Sequence, residues 1–365
     1  MLRTKQIYKL LLMAFLLFSL RGYAQTGGNY DFRFLTLTNS ARSAALGSYW
    51  LPIKDGDVNN VLFNPSLISA DVHHSFALNY INDVGQINYG YAMYSHTFEK
   101  VGSFAASVQF LNYGTMKDAD ETDYVHGDFS ANDLTVNIGW GRELTPHWSI
   151  GANLKGAYSS MYSDYNAFGL GVDVAGTYFH EEKRLTVSLV ANNIGYVLKS
   201  YLPEENDRWL PFSMSLGVSQ KLEHIPLRYV LIYNNIEKWD LRGNSIPATT
   251  IDPITGETVT KKSADKFGDN LMRHFTLGAE FTIAKVIALR GGYNYGRRQE
   301  LKTETRKGMV GFSFGLGLNF KRFSIDYGRS LYHLAGSPNY FTFSANIDRL
   351  VAKRSRTPKS YDEKD

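Results

Sequence analysis

Between Val310 and Tyr327 the chain alternates. Val310, Phe312, Phe314, Leu316, Leu318 and Phe320 take every second position, with Gly311, Ser313, Gly315, Gly317 and Asn319 between them. That is the period of a β-strand whose two faces meet different surroundings. After Lys321 and Arg322 the alternation resumes as Phe323, Ile325 and Tyr327 against Ser324, Asp326 and Gly328, a hairpin with a two-residue charged turn. In a soluble sandwich the polar face would meet water, and small residues would have no reason to dominate it. In a transmembrane barrel the apolar face meets lipid, and the crowded inner face favours Gly, Ser, Asn and Thr.

The same period recurs from Ser75 onward. Its apolar series begin at Phe76, Ile87, Phe104, Leu134, Trp148, Phe168, Leu185, Phe212, Leu227, Phe275, Ile287, Val310, Phe323 and Phe341. The second series is Ile87, Tyr89, Tyr91 and Met93. The fold class expected is all-β: a transmembrane antiparallel β-barrel of about 14 strands, an even number within the range of outer-membrane barrels. The connections sort accordingly. Those near Glu99, Leu144, Glu182, Glu223, Lys285 and Lys321 are short and charged, whereas Gly114 to Asn132, Gly195 to Pro211, Ile236 to Met272 and Gly296 to Lys307 are long and fall on the opposite side. Long outer loops and short periplasmic turns are the signature of such barrels.

Arg3, Lys5 and Lys9 precede the apolar run Leu10 to Leu20, and Gly22, Tyr23 and Ala24 close it, so residues 1–24 read as a secretory signal peptide. The run is too short for a membrane helix, and no later run reaches spanning length. The leader carries Arg3, Lys5, Lys9 and Arg21 without an acid, so the remainder is close to neutral despite the formal charge of +4. No basic stripe argues for nucleic acid. With no cysteine, disulfides and thiol chemistry are excluded. Residues 25–72 are expected to form an N-terminal plug or rim segment, with Asn39 or Ser40 capping a short helix that Gly47 ends. The barrel is expected over 73–348 and a charged periplasmic tail over 349–365.

The inner face carries isolated charges at Lys155, Asp173, Arg228, Glu280, Arg290 and Asp326. Glu280 and Arg290 lie on adjacent strands across a short turn and are expected to pair in the lumen. Motifs with a chemical look have bland readings. Gly311, Phe312, Ser313, Phe314 and Gly315 match a nucleophile elbow, with Asp326 and His333 following, but the serine sits in unbroken alternation rather than at a strand-to-helix turn. Gly169, Gly171 and Gly176 precede no helix. Asp118, Asp120, Glu121 and Asp123 lack the spacing of a calcium loop. His73 and His74 are strand neighbours, so they face opposite ways, which argues against a shared metal. His180 lacks HExxH spacing. No catalytic, cofactor or metal site is expected.

Phe34, Leu35, Leu37, Ser40 to Arg42, Ala44 to Gly47, Asp57, Val58 and the Asn64–Pro65 pair resemble the start of the PorV/PorQ group of outer-membrane proteins, related in shape to FadL-type fourteen-stranded barrels. Ser66 stands where that wider class has alanine. Leu210 to Phe212, Gly217, Val218, Lys221, Leu222, Pro226 to Arg228 and Lys238 to Leu241 also resemble this group. The resemblance implies a non-enzymatic component of the type IX secretion system of the Bacteroidetes, anchoring the surface attachment complex. The implied partners are a PorZ-like surface protein associated with lipopolysaccharide, a PorU-like sortase and a PorV-like barrel. Within the longest outer segment, Glu237 to Asn270, Trp239, Asp240, Leu241 and Arg242 are the candidate partner contacts. The competing expectation is a FadL-like transporter of hydrophobic compounds, with the leading segment as a movable hatch.

Overall fold

The structure, a computed structural model, describes residues 32–122, 124–162, 165–202, 209–242, 249–251, 258–260, 266–301, 308–332 and 336–351. The expected leader lies outside these residues, as do the tail beyond Val351, Asp123 and His333. Fourteen antiparallel strands close into one barrel. They are β1 (Ser75–Asn82), β2 (Asn88–Phe98), β3 (Gly102–Ala119), β4 (Val125–Thr145), β5 (Trp148–Tyr162), β6 (Tyr165–His180), β7 (Leu185–Lys199), β8 (Ser213–Lys221) and β9 (Leu227–Tyr233), followed by five more. A small hairpin, β10 (Thr249–Ile251) with β11 (Thr258–Thr260), lies outside the barrel sheet. The barrel continues with β12 (Phe275–Ile283), β13 (Ile287–Asn294), β14 (Phe312–Asn319), β15 (Phe323–Ser330) and β16 (Asn339–Asn346). β1 pairs with β16 from Ser75↔Asn346 to Asn82↔Asn339, so no sheet edge remains. Closure satisfies the backbone ladder internally, which a lipid environment demands.

Burial alternates along the strands as the sequence requires. In β6, Phe168, Leu170, Val172 and Val174 point outward while Ala167, Gly169, Gly171 and Asp173 are buried. Ile138, Leu154, Leu189, Leu231, Leu289, Phe314 and Phe341 extend the same exposed apolar belt around the barrel. A surface this apolar and continuous suits a bilayer rather than water. Among the described residues no helix is long and apolar enough to cross a membrane.

Three expectations about the strands need correction. In β2 the apolar series is inverted: Tyr89, Tyr91 and Met93 are buried inside, and Ala92 and Tyr94 face out. This wall meets apolar groups of the leading segment, which removes any reason for a polar inner face. The stretch from Gly114 to Asn132 is largely not a loop, since β3 and β4 pair onward to Ala119↔Val125 and project as a hairpin. The opening alternation also overshoots, because β14 starts at Phe312 and Gly311, at φ +88°, breaks the strand before it.

The leading segment occupies the lumen. A short helix, α1 (Ala41–Ala45), is capped by Ser40, whose Oγ accepts from Ser43 N, and ends at Gly47 with φ +82°. It packs on β13 to β16, while the turn Pro65–Leu67 packs on β4 to β6. Trp50, Leu51, Ile53, Val61, Leu62 and Ile68 are buried with Tyr91, Met93, Val190, Val230 and Ile232 of the wall. The small inner residues now have a specific cause. Side chains at Gly141 and Gly151 would run into the Pro65 carbonyl, and one at Gly292 would strike Leu46, so these glycines let the plug backbone approach the wall.

Candidate functional site: charges locking the plug into the lumen

The short turn Ala284–Val286 fixes the register of β12 on β13, placing Glu280 directly opposite Arg290. On its other side Glu280 stands opposite Arg228 of β9. The expected pair forms, with Arg290 Nε donating to Glu280 Oε2 at 2.8 Å. Arg290 Nη1 also reaches Asp326 Oδ1 on β15, across Gly317 of β14. A Cβ at Gly317 would fall 2.4 Å from the Asp326 carboxylate and 2.7 Å from Arg290 Nη1, so this small residue keeps the path open.

The sequence did not reveal the centre of this cluster, which comes from the plug. Arg42 Nε and Nη2 donate to Glu280 Oε2 and Oε1 at 2.9 and 2.8 Å. Nη1 and Nη2 also donate to Asp55 Oδ1 and Oδ2 at 3.2 and 2.8 Å, and Nη1 to Asp57 Oδ2 at 3.0 Å. Arg228 Nη1 joins Asp55 Oδ2 at 2.6 Å. Arg42 is 7% exposed. The planar fork of arginine suits this double bidentate arrangement, whereas the three donors of a lysine ammonium cannot make all five contacts. Burial would push the Asp55 carboxyl up, but Arg42 and Arg228 outweigh it and hold the group well below the usual carboxylate range. Arg42 was legible only as part of the expected helix and of the resemblance, Asp57 only through the resemblance, and nothing singled out Asp55.

Lys155 and Asp173 form a second, separate pair on the opposite wall. Lys155 Nζ lies 2.8 Å from Asp173 Oδ2 and donates to Asn193 Oδ1 at 2.7 Å. Asn193, at φ +60° in a bulge of β7, donates its N–H to Asp173 Oδ1 at 2.7 Å. Asn153 connects this pair to the plug by donating to the Leu62 carbonyl. All six lumen candidates therefore point inward, four in the Arg42 cluster and two here. Below the plug, at the end with the short turns, a cavity of about 670 Å³ is lined by Arg42, Asp55, Glu280, Lys221, Lys321 and Arg322, among others. Its lining is predominantly polar, which suits water and ions better than a hydrocarbon.

At the opposite rim, α2 (Lys266–Arg273) supports the other candidates. Asn270 Oδ1 accepts from Leu241 N at 2.9 Å and its Nδ2 donates to the Trp239 carbonyl. Asp240 and Arg242 pair at 3.1 Å. Trp239 and Phe267 pack at 5.2 Å between centroids, and both are exposed. Much of the segment from 237 to 270 lies outside the described residues.

The other motifs resolve locally. Ser313 lies within β14, buried, and donates to the Ala45 carbonyl at 3.0 Å, so it helps dock the plug and has no elbow geometry. Ser66, standing where alanine is usual in the resembled class, is 2.6 Å from Thr177 Oγ1 on β6. Asp120 shapes the β3–β4 tip by accepting from Thr122 and Tyr124. The expectation that His73 and His74 diverge is overturned. His74 adopts φ +51°, which swings its ring onto that of His73 at 3.7 Å.

No family model matches the chain, and no curated protein matches it. Among solved structures, the fold is similar to that of the Pseudomonas putida toluene transporter TodX, with a TM-score of 0.50 at 12% identity over 87% of this chain and 98% of that one. A TodX deltaS2S3 mutant, a monoaromatic hydrocarbon channel, gives 0.52 at 10% identity over 84% and 98%. A Pseudomonas aeruginosa FadL homologue aligns over 88% of this chain and 99% of that one, at 0.40 and 11% identity. The chain is thus a closed fourteen-stranded barrel of the outer-membrane type, with a lumen filled by its own N-terminal segment.

Proposed function

We propose that this protein is a plugged, non-enzymatic outer-membrane scaffold of the type IX secretion system, similar to the PorV/PorQ group, holding PorZ-like, PorU-like and PorV-like partners at the cell surface. The observation that carries this reading is the clamp of Arg42 on Glu280, Asp55 and Asp57, which ties the plug to the wall and leaves a charged vestibule in place of an apolar corridor. The exposed Trp239 and Phe267 rim, braced by Asn270, offers an apolar anchor of the kind protein partners use. A strain lacking the gene is expected to retain secretion cargo off its surface, and the barrel purified from native membrane to carry a PorZ-like partner. Deleting 237–270 from a correctly inserted barrel should abolish that capture; unchanged capture rejects the loop as the contact.

The fold likeness favours a second reading, a FadL-like transporter of hydrophobic compounds, since the similar structures include a toluene transporter and a hydrocarbon channel. In that reading the plug is a hatch and the Arg42 cluster its latch. Uptake of a fatty acid or toluene by liposomes carrying the barrel separates the two: the scaffold reading expects no uptake above empty liposomes, the transporter reading saturable uptake.

A further inference from the structure

We propose that His73, His74 and His96 form a binding site for one zinc ion on the periplasmic rim, where it staples the barrel seam. One ring nitrogen from each of the three lies within 4.8 Å of the others. The His96 ring is 4.9 Å from both of its partners, centroid to centroid. His73 and His74 immediately precede β1, and His96 sits near the end of β2 beside a short turn, so the cluster lies at the membrane edge, within reach of periplasmic metal. All three side chains are partly exposed, so they are free to contract around an ion that needs nitrogens at about 2.0–2.1 Å.

Simple alternation would separate the first two histidines. The left-handed backbone at His74 is uncommon for a residue with a side chain, and it gathers the rings instead of dispersing them. Stacked at 3.7 Å, the two rings carry their in-plane nitrogen lone pairs side by side, and neutral imidazole is a ligand of the type that zinc accepts. Asp348, just past β16, supplies the usual companion. Its two carboxylate oxygens lie 2.8 and 2.9 Å from His74 Nδ1, which holds the proton there and leaves Nε2 as the ligand atom. His73 Nδ1 accepts from Thr97 N at 2.9 Å, so its coordination through that atom exchanges one amide hydrogen bond for the metal.

The consequence is structural. Ile347 N donates to the His74 carbonyl at 2.8 Å and Asn346 Nδ2 to the His73 carbonyl at 2.6 Å, so the histidines already join the first and last strands. Zinc at this point cross-links β1 to β2 and, through Asp348, to the residues that follow β16.

The test is titration of the detergent-solubilised full chain, stripped with chelator, with zinc chloride by calorimetry. One equivalent per barrel is expected. His96→Ala should weaken binding at least tenfold and Asp348→Asn by about 10- to 100-fold, the range for loss of an orienting carboxylate. His126→Ala and His180→Ala, remote on the chain, should leave it unchanged. Substoichiometric binding, or His96→Ala with native affinity, overturns the proposal. Should His96→Ala fail to insert, His96→Gln replaces it, and cobalt substitution of the native chain gives an independent reading. Intense tetrahedral visible bands support the site, and the pale spectrum of octahedral cobalt rejects it.

Discussion

Arg42 and Glu280 are 238 residues apart in the chain, and two parallel hydrogen bonds of 2.9 and 2.8 Å join them in the lumen. One lies on the plug and the other on the wall, so this contact fixes one against the other. A buried charge that loses its partner is costly, about 3–5 kcal/mol. Glu280 and Asp55 keep Arg290 and Arg228, so Arg42→Ala should lower the unfolding free energy in detergent by up to about that amount and raise protease sensitivity of the plug. Arg42→Lys should recover only part of the loss, because three ammonium donors cannot replace the five hydrogen bonds of the planar fork to Glu280, Asp55 and Asp57. Native stability in both variants would show that the clamp is incidental.

Gly317→Val is a test from the wall side. Its side chain enters the line between Arg290 and Asp326, and overpacking of this kind costs about 1–3 kcal/mol. Gly176→Val, whose Cβ would meet nothing within 4 Å, is the matched control and should be near neutral. Chemical denaturation of both variants in the same detergent gives the comparison.

The Asp55 carboxyl is held below its ordinary value of 3.8, so its pairing with Arg42 and Arg228 contributes stability that is fully present above 3.8 and lost as pH falls through the folded value. Asp55→Asn should consequently be less stable than the native chain at pH 7. The gap should narrow on acidification below pH 4. A difference constant from pH 7 down to pH 2 would contradict the pairing.

Leu316 points outward from the middle of β14, 41% exposed in the isolated barrel. If lipid covers it, Leu316→Arg should cost about 2–4 kcal/mol in bilayers at mid-depth. The same change at Tyr124, on the projecting hairpin tip, should cost little. Folding titrations into liposomes decide whether the belt is where the alternation puts it.

The sequence alone determined the barrel, the sorting of short turns from long connections, and the Glu280–Arg290 pair. Each depends on local quantities: side-chain period, turn length, and the register that a short turn imposes on adjacent strands. What alternation encodes is which residues share a face, not what that face meets. The inversion of β2 shows the difference, since Tyr89, Tyr91 and Met93 are apolar because the plug lies against them. The long-range partners were decided only by tertiary structure. Arg42 meets Glu280 because α1 is seated on β13 to β16, and the histidines meet because one left-handed residue departs from the strand period. Contacts between residues hundreds of positions apart leave no periodic trace, because they are set by closure of the barrel around its own N-terminal segment.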